Sequence, residues 1–209
     1  LKIDISTDSG QISGMHFDQA TSQIVRRNDS LVIGPIHFNV GSGKGLGQVL
    51  VVNQDEGPSL LKISGNLKNF DAQTVYQEIL KRNGLVSGRL NADFYLEGET
   101  GKQFLPTSLG TFTIENKDGQ LYGLNWVSKI LHILNIYPML TGNIRGKGLP
   151  FDTISFNAKL DKGILSTEDF LMEGNIMNLS MTGKHNLISN TLNFELGAMP
   201  LRGVDSILS

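Results

Sequence analysis

Apolar and polar residues alternate with a period of two along much of this 209-residue chain. In "LNADFYLEG", Leu90, Ala92, Phe94 and Leu96 fall on one side, and Asn91, Asp93 and Tyr95 on the other. "ISFNAKL" sets Ile154, Phe156, Ala158 and Leu160 against Ser155, Asn157 and Lys159. "MNLSMTG" sets Met177, Leu179 and Met181 against Asn178, Ser180 and Thr182. "LNFEL" gives Leu192, Phe194 and Leu196, and "LKISGNL" adds Leu61, Ile63 and Leu67. Successive side chains of a strand point to opposite faces, so each segment predicts a strand with one dry and one wet face. Such one-sided alternation favours antiparallel pairing, because parallel strands are usually apolar on both faces. The connections "DKG" at 161–163 and "TGKH" at 182–185 predict hairpin turns.

Two segments change period. "DAQTVYQEILKRNG" begins at Asp71, a helix-capping residue, and stops at Asn83-Gly84. Ala72, Val75, Ile79 and Leu80 recur on one face, which predicts a helix near 71–82. "LNWVSKILHILNIYP" predicts a second helix over 124–137, ended by Pro138. Its polar residues Asn125, Ser128, Lys129, His132 and Asn135 form a narrow stripe, so most of its circumference is to be buried. At ~1.5 Å per residue it reaches about 21 Å, short of the ~30 Å of a bilayer core. It would cap an apolar cavity or lie against a membrane.

The strand, helix, strand order of 61–67, 71–82 and 88–97 is echoed at 110–115, 124–137 and 151–160, as in chains built from stacked similar units. The expected fold is mainly β with two helices: a curled antiparallel sheet forming an apolar groove. It occupies residues 1–209 as one segment, with subunits at 1–100 and 101–209. The chain opens on "LKIDISTDSG", with neither an initiator Met nor a signal peptide, and is read as a segment of a longer protein.

Composition narrows the function. Charged residues make up 18% and the net charge is −2, so no basic field calls for nucleic acid. There is no cysteine, which excludes disulfides and thiolate metal sites. "GSGKGLG" at 41–47 resembles a phosphate-binding loop only at first sight. The position five before Gly43 is Phe38, Gly45 follows Lys44 where a Ser or Thr is needed, and "GLGQVLVVN" reads as strand. It is therefore expected to be a turn or bulge between strands. His16, His37, His132 and His185 lack metal-ligand spacing, and Asp55-Glu56 and Glu168-Asp169 read as solvated edges near turns. No nucleophile elbow is present. The expectation is a protein that is not an enzyme and uses no cofactor or metal. Met172, Met177, Met181 and Met199 recur at positions read as inward, and Met adapts to irregular apolar partners.

The order of the motifs resembles the C-terminal region of the AsmA-like family of bacterial envelope proteins. The residues that carry the resemblance are "SGRLNADFYLEGETG", the "SLGTFTIENKDGQL" strand and turn, the apolar helix with its Leu-Asn pair, and the "GKGLPF" entry. "DKGILSTEDFLMEG", "MNLSMTGKHNL" and the upstream "PSLLKISGNLKNFDAQTVYQEIL" follow the same pattern. The resemblance spans nearly the whole chain and extends to TamB-like and bridge-like lipid transfer proteins. It implies a periplasmic protein anchored in the inner membrane through a segment outside this chain, handling phospholipid between inner and outer membranes, with envelope proteins as further partners. The rival expectation is a structural scaffold or outer-membrane assembly factor with a closed β-sandwich core.

Elementary energetics explains why such an activity needs a surface more than a site. Two acyl chains of about fifteen methylenes each, at ~0.8 kcal/mol per buried CH₂, cost on the order of 24 kcal/mol to expose. A continuous apolar trough offsets that; a few polar contacts do not. The residues expected to line it are Leu61, Ile63, Leu90, Phe94, Ile154, Phe156, Leu160, Met177, Leu179, Met181, Leu192 and Phe194.

Overall fold

The structure, a computed structural model, describes residues 1–12, 15–80, 86–122 and 148–200. Eleven strands follow one another: β1 (Lys2–Ile12), β2 (Met15–Arg27), β3 (Ser30–Val40), β4 (Gly43–Val52), β5 (Leu60–Asp71), β6 (Arg89–Glu99), β7 (Leu109–Leu121), β8 (Leu149–Asp161), β9 (Ile164–Glu173), β10 (Met177–Asn186) and β11 (Thr191–Pro200). They form a single antiparallel sheet whose spatial order is the chain order. The sheet is curled and open, not closed into a barrel. Helix α1 (Ala72–Leu80) separates β5 from β6; a 3₁₀ turn (Gly101–Gln103) and the one-turn α2 (Phe104–Thr107) separate β6 from β7.

The local chemistry of the connections explains the meander. β3 and β4 are joined by Gly41-Ser42, and β8 and β9 by Lys162-Gly163. Gly41 has φ +56, Lys162 +48 and Gly163 +79. Left-handed central residues match the twist of the flanking strands, which is what two-residue hairpins demand. "DKG" is thus a turn as expected. "TGKH" is not: β10 runs unbroken through Thr182–His185, and the reversal falls at 187–190. Asn186 makes that turn, its Oδ1 accepting from the backbone N–H of Ile188 and of Ser189, both at 2.9 Å. Helix α1 starts as predicted, with Asp71 Oδ1 capping the Thr74 N–H at 2.7 Å. The helix expected over 124–137 lies outside the described residues.

Bulges give the sheet its bend. Register shifts occur within the β2–β3, β3–β4, β5–β6, β8–β9 and β9–β10 pairs. An extra residue on one strand of a pair bends it and increases its twist. The β3 irregularity carries the cis Gly34-Pro35 bond. At the β8–β9 bulge, Asp169 accepts from the Asn157 backbone N–H (2.8 Å) and from Asn157 Nδ2 (2.6 Å). Asp169 therefore pins an irregularity inside a strand and not at the expected turn, while remaining solvent-exposed as expected.

The buried core is small and lies toward one end of the strands. Leu149, Phe151, Ile154, Met172, Met177 and Leu179 form it, with Val86, Leu121, Phe156, Phe170, Ile176 and Ala198 packed around them. Phe70 and Ala72 are buried at the start of α1, which contacts both β5 and β2 and so bridges strands three places apart in the sheet. At the other end, buried Ser108 ties two connections together. Its Oγ accepts from the Gly163 N–H at 3.2 Å and donates to the Leu105 carbonyl at 2.8 Å.

Candidate functional site

Residues paired across an antiparallel sheet share a face, so the register traces each face from strand to strand. Starting from Ile33 on β3, the pairing runs to Val49, Ile63, Leu96 and Gly110. A parallel line runs from Phe38 through Gly45, Leu67, Ala92, Ile114 and Phe156. A third links Asn116, Ile154, Met172, Leu179 and Ala198. These lines belong to one apolar face that spans the sheet.

All twelve sequence-predicted groove residues carry this face. Leu61 pairs with Gly98, Ile63 with Leu96, Leu90 with Asn116 and Phe94 with Phe112. Ile154 pairs with Met172, Phe156 with Ile114 and Leu160 with Leu165. Leu179 pairs with Ala198, Met181 with Leu196, Phe194 with Gly183 and Leu192 with His185; Met177 shares the parity of Leu179. They do not share one environment, however. Met177, Leu179, Ile154 and Leu160 are buried; Leu61, Ile63, Leu90, Phe94, Phe156 and Met181 are half-buried; Phe194 and Leu192 are exposed by 43% and 62%. Met199, expected inward, pairs with Asn178 on the polar face and is exposed. Its parity within β11 is that of Asn193 and Glu195, so the inward reading fails on spacing alone.

From Leu31 on β3 to Met172 on β9, the paired positions of this face among the described residues hold no ionisable side chain; Asn116 and Thr167 are its polar members. Asn116 is buried, its Nδ2 donates to the Ser87 carbonyl at 3.0 Å, and among the described residues its Oδ1 has no partner.

Five of the ten phenylalanines stand directly opposite a glycine: Phe17 and Gly10, Phe38 and Gly45, Phe94 and Gly65, Phe151 and Gly119, Phe194 and Gly183. At each pair a Cβ on the glycine would fall inside the contact distance of the ring. The ring lies across the neighbouring strand and covers bare backbone. Phe70 covers Gly43 in the same way, 2.8 Å from where its Cβ would be, and meets Phe38 edge-on with centroids 5.9 Å apart. This is the actual role of much of "GSGKGLG". Only Gly41 and Ser42 make the turn; Gly43 and Gly45 are strand positions emptied for aromatic rings.

The opposite face is wet and laced with side-chain hydrogen bonds. Asn66 donates to Asp93 (2.6 Å), Thr113 to Asn157 (2.7 Å), and Asn157 to Asp169. The bonds from Asn157 hold the Asp169 carboxyl below its ordinary range. Glu97 is also lowered, first by the Tyr95 hydroxyl at 2.5 Å and then by Lys62 at 3.0 Å. Lys117 and then Asn91 lower Glu115. Shallow grooves cross this face; one of about 450 Å³ includes Gln48, Ser64, Asn66, Asp93 and Thr111. These carboxylates are exposed and locally satisfied. Among the described residues no group of three or more His, Asp or Glu is placed to hold a metal, and no helix is long and apolar enough to cross a membrane.

Among the described residues the geometry thus offers one extended feature, an apolar face running from β3 to β11. Compared with protein-family models, with curated proteins and with solved structures, the chain matches none of them.

Proposed function

We propose that this chain is a lipid-handling segment whose apolar face takes up the acyl chains of phospholipid. The observation that carries the reading is the run of uncharged, mostly apolar positions across β3–β9, much of it half-exposed among the described residues. Exposed contiguous apolar surface is costly in water, at ~25 cal/mol per Å², and is retained where something covers it. Interior strands have both backbone edges paired, so an occupant finds carbon contacts and no hydrogen-bond partners there. Hydrocarbon meets that condition. The resemblance to AsmA-like proteins accords with this reading and extends it to an inner-membrane-anchored periplasmic protein passing phospholipid toward the outer membrane.

The test is Ile63→Asp. Ile63 is half-buried at the centre of the face, away from the closed core. The variant is expected to keep its β-sheet circular dichroism while losing co-purifying lipid and labelling by photoreactive phospholipid. Wild-type protein that is consistently lipid-free and unlabelled overturns the proposal. Leu179 is unsuitable for this purpose: at 2% exposure it belongs to the core, and a carboxylate there unfolds the protein under either reading.

A second reading, a scaffold that captures partner strands, is favoured by the open outer edges of β1 and β11 and by exposed Ile3, Ile5 and Phe194 beside them. Glu195→Pro on the β11 edge separates the two. It blocks strand addition and leaves lipid labelling of the central strands unchanged.

A further inference from the structure

Helix α1 reaches across the sheet. It leaves the end of β5 and, among the described residues, packs against β5 and β2 more than against β3 and β4, which lie between them. β5 and β2 are three strand spacings apart, about 14 Å at ~4.8 Å per spacing. Nine residues of helix at ~1.5 Å each reach about 13 Å, so the helix is nearly as long as the gap it spans. A straight rod that meets the outer two of four strands more than the inner two is a chord to their bend. The root of the chord is fixed. Buried Phe70 lies on Gly43 of β4 and meets Phe38 of β3 edge-on. Asp71 caps the Thr74 N–H, and buried Ala72 donates its own N–H to the Gly88 carbonyl at 3.0 Å, just ahead of β6.

The stretch under the chord is irregular. Three register shifts fall in it, two between β2 and β3 and one between β3 and β4, while β4–β5 runs without a break. Bulged pairs bend and twist more than regular ones, so this stretch has several places at which its bend is set. We infer that α1 is a strap, which holds β2–β5 at one bend and releases it when the helix melts. The helix suits that role because it does not stand alone. Isolated helices below about 12–15 residues are marginal in water, and α1 has nine. Thr74 and Val75 are β-branched, and neither an acidic residue in the first turn nor a basic one in the last complements the macrodipole. Its helical state depends on the Asp71 cap and on packing at both strands. Flattening the stretch withdraws β2 and part of that packing, so the bend and the helix form and fail together. The inference stands on the fold and holds whether or not the apolar face takes up lipid.

The chain has no cysteine, so introduced cysteine pairs carry spin labels without background. Ser6→Cys on β1 with Thr111→Cys on β7 brackets the strapped stretch, six spacings or about 29 Å along the sheet. Thr111→Cys with Asn193→Cys on β11 brackets the rest; all three positions are exposed on the wet face. Label distances are read by pulsed electron paramagnetic resonance on the full chain. Gln77→Pro breaks the helix in its interior and is expected to broaden and lengthen the Ser6–Thr111 distances while leaving Thr111–Asn193 unchanged. Asp71→Ala is the milder variant, and decides the matter if Gln77→Pro does not fold. It is expected to raise amide exchange in 72–80 about fivefold, equivalent to ~1 kcal/mol, with a smaller broadening of the same label pair. Gln73→Glu places a carboxylate in the first turn and is expected to slow that exchange about twofold. Ser6–Thr111 distances that stay put while exchange in 72–80 rises overturn the strap, since the helix then melts without loosening the sheet. Equal broadening of both label pairs overturns it as well, and so does exchange in 72–80 that none of the variants moves.

Discussion

Replacing Gly45 by alanine tests whether the aromatic rings truly need their glycines. The added methyl would overlap the Phe38 ring, so the ring has to leave its place over β4. It has little room to do so, because its other side meets Phe70, which is 1% exposed and itself lies on Gly43. Overpacking of this kind costs about 1–3 kcal/mol. Loss of the edge-on ring pair adds about 0.5–1.5 kcal/mol. Against these stands roughly 0.5–1 kcal/mol gained by removing a strand glycine. The expected net effect is a destabilisation of about 1–3 kcal/mol, whereas Gly47→Ala, with no ring to displace, is expected to stabilise by about 0.5–1 kcal/mol. Urea unfolding at constant m-value measures both. Phe38→Ala in the Gly45→Ala background removes the clash, so the double mutant is expected to be more stable than the sum of the single losses by about 1 kcal/mol or more. The reasoning is refuted if Gly45→Ala is as stable as wild type or indistinguishable from Gly47→Ala.

Further outcomes follow from the same geometry. Ser108→Ala strips the partner from the Gly163 amide and is expected to cost about 1–3 kcal/mol by thermal denaturation; an unchanged melting temperature contradicts the tie between the two connections. Asp71→Ala removes the α1 cap and is expected to cost ~1 kcal/mol, with amide protection falling in 72–80 but not in β6–β8. Leu179→Asp is expected to abolish cooperative unfolding through an uncompensated buried charge, in contrast to Ile63→Asp. Asp169 has a carboxyl pKa lowered in the fold, so its bonds to Asn157 stabilise fully above the ordinary carboxylate pKa and are lost as pH falls through the lowered folded value. A pH series of melting temperatures is expected to show this acid-side loss, and Asp169→Asn to flatten it.

Much of the sheet was legible because "LNADFYLEG", "ISFNAKL" and "LNFEL" each carry a complete dry face within one short window. The face then needed only the register to join it, and the hairpins supplied that. The first strand was harder to read: "DISTDSG" is polar on both sides at its centre, as suits an edge strand exposed on both faces. Glycine misled in two places. "TGKH" and most of "GSGKGLG" have turn composition, yet Gly183, Gly43 and Gly45 serve rings on other strands. That relation is set by cross-strand pairing and has no local signature. Asp169 misled for the same reason, since its partner Asn157 belongs to β8. The separation of the apolar face into buried, half-buried and exposed stretches was beyond the pattern altogether, because alternation reports direction and not cover.

The identity of strand order and chain order has a mechanical consequence. All substantial strand contacts among the described residues join chain neighbours, and the strand order leaves β1 and β11 unpaired with each other. Small changes of angle at each of the ten strand junctions add up to a large change in how far the sheet is rolled. No hydrogen bond has to break for this to happen. Outside the β2–β5 stretch that α1 bridges, the radius of curvature is then a soft coordinate, and one that an apolar guest would be expected to set. Amide exchange would register such rolling only weakly, whereas the distance between labels on β2 and β10 would follow it directly.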